Sequence, residues 1–173
     1  MDKNDPFVAL DDTEVRIVAP DYSLKKLIGE NVDIKQIFSA ENIENAQQII
    51  HEHKDNFLEW VNNDLAALEH SYNKAMANLA ACEPDIKKLA KTAFVIKSQA
   101  GTFGFELATR VAKSLDDFCN QTFKPIPEHM TAIRKHIDTL LAIFRNKISG
   151  DGGTLGAELI DNLFKLVEKC KKQ

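Results

Sequence analysis

Several features are missing from this chain, and each absence narrows what it can be. No run approaches the roughly 20 consecutive apolar residues that span a bilayer. The start, MDKNDPF, lacks the basic-then-apolar pattern of a signal peptide, so a cytoplasmic protein without a membrane partner is expected. There is no excess of basic charge: 22 Lys and Arg stand against 26 Asp and Glu, a formal net charge of −4. Such a balance gives no broad positive field to attract nucleic acid, so no nucleic-acid partner is expected. Cysteine is scarce. Cys82, Cys119 and Cys170 are odd in number and widely spaced, which fits neither a disulfide framework nor a CxxC zinc site, and they read as reduced packing thiols. No segment alternates apolar and polar residues with period two over any length, so strands are not needed.

What remains is helical. The 173 residues, 44% of them hydrophobic, suffice for one domain with a real core. Residues 1–42 hold short apolar clusters (VRIVAP, LKKLIG, IKQIF) broken by Pro6, Pro20 and Gly29, and read as an irregular arm preceding a bundle over 43–173. From Ile43 the texture changes. Ala46, Ile50, Phe57, Val61, Leu65, Leu68, Tyr72, Met76 and Leu79 recur at three- and four-residue steps, predicting one long helix or two nearly collinear ones, with Trp60 in the core.

The pattern resets at Glu83-Pro84, where Pro84 suits a first turn and Asp85 the helix dipole, and a second helix is predicted over about 84–100. TFGFE marks a turn or a close approach, after which Leu107, Val111, Leu115 and Phe118 resume the helical period to about 120. Lys124-Pro125-Ile126-Pro127 breaks the chain again before a helix bearing Met130, Ile133, Ile137, Leu140, Leu141 and Phe144. A last helix over about 155–171 carries Leu155, Leu159, Ile160, Leu163, Phe164 and Val167. The GDGG that precedes it lacks the GK[ST] ending and the strand of a phosphate loop, and reads as a turn. The expected fold is all-α, an antiparallel helical bundle with short connections.

One stretch, AFVIKSQAGTFG, raises a question of direction. At about 100° per residue, Leu89, Ala93, Ile96, Ala100 and Phe103 share a core face within roughly 80°. Phe94 points roughly 120° away from its centre. It falls on an outer stripe with Lys87, Ala90, Ser98 and Gly101, flanked by Lys91 and Lys97. Small residues beside a helix surface let another backbone come close, and lysines favour an anionic partner. The stripe reads as a docking surface, with the alternative that the N-terminal arm folds over Phe94 as a satellite of the core.

AFVIKSQAGTFGFELATRVAKSLDDF resembles the signature of histidine-containing phosphotransfer (HPt) domains, roughly A-H-x-L-K-G-x-A-x-x-x-G followed by L-x-x-x-A-x-x-L. Lys97 falls on the family's lysine, Ala100 and Gly104 on its small positions, and Leu107, Val111 and Leu115 on its following helix. Gln99, Gly101, Thr102, Phe103 and Gly104 are also similar to an alphaproteobacterial-looking subgroup that reads K-G-Q-G-G-T-F-G-Y.

The resemblance implies a four-helix bundle of HPt type with an added C-terminal helix, serving bacterial two-component phosphorelays. Its partners would be a response-regulator receiver domain and, as a second candidate, a hybrid histidine kinase. In the family an exposed histidine carries the phosphoryl group. Here the aligned residue is Phe94, whose ring has no nucleophilic nitrogen, and the glycine usual four residues later is Ser98. The implied protein is therefore a docking module without an acceptor, neither an enzyme nor dependent on a cofactor or metal. Phe94, Lys97, Ser98, Gly101, Ala90, Lys91 and Lys87 would form its docking face.

An active phosphocarrier that uses another residue, or an HPt protein substituted at position 94, is the alternative. For that role the other histidines are poorly placed. His51 and His53 diverge by about 200° on a helix, while His129 and His136 sit about 10.5 Å apart along one and read as solvent-facing. His53 reads as a core or boundary residue.

Overall fold

The computed structural model describes residues 38–121 and 126–171. Two compact units divide between Ile43 and Glu44. The arm expected over 1–42 lies outside the described residues up to residue 37, as does the break at Lys124-Pro125.

The described residues contain helices and no strand. We number them α1 (Ala40–Glu52), α2 (Lys54–Ala77), α3 (Glu83–Ala100), α4 (Glu106–Cys119), α5 (Pro127–Arg145) and α6 (Gly153–Cys170), with a short 3₁₀ turn at Leu79–Ala81. The long N-terminal periodicity is thus two helices that meet at His53. Backbone hydrogen bonds bridge the junction, His53 N–H to Ile49 C=O and Phe57 N–H to His53 C=O. None of α1 is buried, so Ile43, Ala46 and Ile50 extend the apolar pattern of α2 without a covered face.

α2 packs on α3, α3 on α4, α4 on α5, and α5 returns to α2, closing a ring of four helices; α6 lies against α4 and α5. The core follows from the periodicity. Phe57, Val61, Leu65 and Leu68 of α2 meet Leu89, Ala93 and Ile96 of α3, Val111 and Leu115 of α4, and Ile133, Ile137 and Leu140 of α5. At about 2 kcal/mol for each large apolar side chain taken out of water, this core is the main source of stability.

Two turns lock one end of the ring. Gly104, at φ 79°, takes the left-handed conformation that ends the α3 turn, and Phe105 N–H returns to Ala100 C=O at 2.9 Å. Gly150 N–H reaches Gly104 C=O at 2.8 Å, and Leu107 N–H reaches Gly150 C=O at 2.9 Å, so the TFGFE and SGDGG turns hold each other. Above them Phe57 stacks on Phe103 at 4.3 Å and 9°, while Phe105 sits 5.2 Å from Phe144. Phe103 is therefore a partly covered cap on the core, joined to it by stacking.

Some expected core positions fall outside. Trp60 is 54% exposed, because it lies about 100° from the centre of the face made by Phe57, Val61, Leu65 and Leu68. Met76 is exposed near the end of α2, where Ala75 is the buried residue. His53 is exposed, and its ring contacts the Asn56 amide at 3.2 Å.

The reverse holds on α5, where His129 and His136, read as solvent-facing, are both buried. α5 touches α2, α4 and α6, so little of its circumference is left for water. All three cysteines are free and buried. Burial pushes the Cys119 thiol up to about 12, with nearby Asp116 adding to the rise.

Candidate functional site

The outer face of α3 is positioned by the inner one. Ile86, Leu89, Ala93, Ile96 and Ala100 are buried, and this anchoring turns Phe94 outward, leaving it 54% exposed. Lys97, one turn on, stretches back across the ring, with its ammonium 4.5 Å from the ring centroid, a cation–π contact. The same ammonium meets Asp116 Oδ2 of α4 at 2.5 Å.

Asp116 is 6% exposed, and its other oxygen accepts the Asn120 side-chain amide at 2.7 Å. A buried carboxylate needs such partners, because an unpaired charge in the interior costs several kcal/mol. Phe94, Lys97, Asp116 and Asn120 thus form one connected cluster across the α3–α4 seam.

The other residues of the expected docking stripe take different places. Lys87 is exposed and pairs within α3 with Glu83 at 2.7 Å, which holds that carboxyl below its usual range. Lys91 is exposed and makes no ion pair among the described residues, so it is the uncompensated cation beside Phe94. Ser98 is exposed, and its hydroxyl donates to Phe94 C=O at 2.8 Å, a bond along the helix that leaves the oxygen facing water.

Ala90 does not belong to the outer face: it is 4% exposed. α3 packs against both α2 and α4, so its buried arc is wider than a single stripe, and Ile86, Ala90, Ala93 and Lys97 lie on the side toward α4. Gly101 is exposed, yet a Cβ there would stand 3.3 Å from Thr109 Oγ1. Its small size thus serves the approach of α4 to the end of α3.

Sequence reasoning missed Asp116 and Asn120. A signal was present: Asp116 stands one turn from Ala112, beside Leu115 and three residues before Cys119, a charge inside the apolar arc of α4. A charge so placed calls for a partner on the neighbouring helix.

The histidines form no second site with α3. His136 Nδ1 donates to Ala132 C=O at 2.8 Å, and its Nε2 stands 2.9 Å from the Ser114 hydroxyl, whose proton it accepts when the ring is neutral. Burial lowers its pKa, and the bond to Ala132 opposes part of that shift. His129 lies edge-on to Phe118 and contacts Cys170 C=O at 3.3 Å. Among the described residues no group of three His, Cys, Asp or Glu side chains is arranged to hold a metal ion. No helix there is long and apolar enough to cross a membrane.

Comparison with family models, with curated proteins and with solved structures yields no match.

Proposed function

We propose that this chain is a docking module for response-regulator receiver domains, related to HPt domains in arrangement, which binds without carrying phosphate and without catalysing a reaction. The observation that carries the reading is Phe94, a half-exposed aromatic on the outer face of α3 with the Lys97 ammonium across its ring. In this reading α2 to α5 are the antiparallel four-helix bundle of HPt type, and α6 is the additional helix. The signature stretch, residues 93–118, lies on the second half of α3, the turn after it and nearly all of α4.

An aromatic on a rigid helix, ringed by polar groups, suits an interface anchor. The Lys97 ammonium favours this orientation of the ring, which lowers the side-chain freedom that docking would cost. Lys97 itself is neutralised by Asp116, and its part is to shape the surface. The cation left to meet an acidic receiver pocket is Lys91, three residues before Phe94 and on the same side of the helix. No ring nitrogen stands at position 94, so a docked receiver keeps its phosphoryl group.

Calorimetric titration of a panel of receiver domains tests this. At least one is expected to bind, with affinity falling at least about tenfold in Phe94→Ala. The same substitution should leave thermal stability almost unchanged. Absence of binding across the panel, or an affinity indifferent to Phe94→Ala, would overturn the reading.

A further inference from the structure

α6 is apolar over more of its circumference than the rest of the bundle covers. At about 100° per residue, its apolar arc runs from Leu155 and Leu166 through Leu163 and Val167 to Phe164, roughly half the helix. Leu163 and Val167 are buried, while Leu155 is 74% exposed. Between α5 and α6 this leaves a groove of about 480 Å³, floored by Leu155, Leu159, Leu163 and Leu166. Lys135, Glu158 and Asn162 stand on its rim. Among the described residues Glu158, Lys135 and Lys169 make no ion pair and the Asn162 side chain makes no hydrogen bond.

We propose that this groove is the contact by which two copies of the chain associate, with α6 of one copy lying antiparallel to α6 of the other. The charge pattern selects this occupant. Asp161 and Lys165 pair with each other along α6, and Glu168 pairs with Lys171, which leaves Glu158 in the first half and Lys169 in the second as the unpaired charges, so an antiparallel mate sets each Glu158 toward the other copy's Lys169. A parallel mate would oppose like charges.

With the two-fold axis at Asn162, Glu158 comes level with Leu166 of the second copy, within one turn of that copy's Lys169, while Lys135 stands on the groove's rim. The two Asn162 amides then face each other, donor to acceptor. Such an interface is isologous: one acid and its bases on the same face satisfy both halves. Leu155 and Leu159 are covered by the same contact. The interface lies on α5 and α6, so the outer face of α3 is not used by it.

Sedimentation velocity from about 1 to about 200 μM tests the proposal across the range in which a contact of one helix dissociates. A concentration-dependent doubling of mass is expected. Leu155→Glu should raise the dissociation constant at least about tenfold, and because Leu155 is exposed the fold should survive, as far-UV circular dichroism would verify. Glu158→Lys should weaken association, and the double variant Glu158→Lys with Lys169→Glu should recover it. A chain that stays monomeric throughout, or a dimer indifferent to Leu155→Glu, overturns the proposal and leaves the groove to another occupant. Failure of the double variant to recover association overturns the antiparallel arrangement.

Discussion

Replacing Lys97 with methionine removes the ammonium while keeping a chain of similar length over Phe94. It leaves the Asp116 carboxylate, 9% exposed in its side chain, with only the Asn120 amide as a partner. Breaking a fully buried ion pair from one side costs about 3–5 kcal/mol. The Lys97 side chain is 24% exposed, so water enters once the ammonium is gone, and the loss should be about 2–3 kcal/mol. For a chain of this size that corresponds to a melting temperature lower by about 5–10 °C.

Asp116→Asn should cost less, about 1 kcal/mol, because it keeps the shape and strands only a lysine that can turn to solvent. Urea unfolding followed by circular dichroism measures both, and the double variant supplies the coupling energy. If Lys97→Met stays within about 0.5 kcal/mol of the parent, or costs less than Asp116→Asn, the view of Asp116 as a buried charge held by Lys97 is refuted.

Further outcomes follow from other sites. His136 has a folded pKa below its ordinary value, so its contribution to stability is complete above about pH 6.5 and is lost as the pH falls from there toward the folded pKa. His136→Gln should flatten that part of the curve of stability against pH, and an unchanged slope would mean that another group causes it. At Gly156 a Cβ would collide with the Asp151 carbonyl and stand 3.3 Å from Leu107 Cδ1, so Gly156→Ala should lose more than about 2 kcal/mol in thermal unfolding; a neutral result would show that this turn yields freely.

Much of the helical layout is legible in the sequence, because proline, glycine and periodicity act locally. Pro84 and Pro127 stand in the first turns of α3 and α5, and GDGG turns the chain before α6. The outward direction of Phe94 follows from helical arithmetic alone. What a single stripe does not reveal is how many neighbours a helix has. α3 has two, so Ala90 turns inward; α5 has three, so His129 and His136 are buried; α1 has no buried residue, and its isoleucines stay exposed. The tie between Lys97 and Asp116 spans 19 positions and depends on the register of α3 against α4, which no local pattern encodes. It also changes the meaning of the lysine that the resemblance singled out, from a free cation to one that is compensated within the chain.

The central claim is that Phe94 marks a surface that docks a receiver and does not accept its phosphate. The most direct measurement combines this chain with a binding receiver domain carrying a labelled phosphoryl group, and follows both complex formation and the position of the label. The account predicts a complex in which the label stays on the receiver and none is found on this chain. Stable label on this chain, or a receiver that transfers its phosphate here while Phe94→Ala makes no difference, would contradict it.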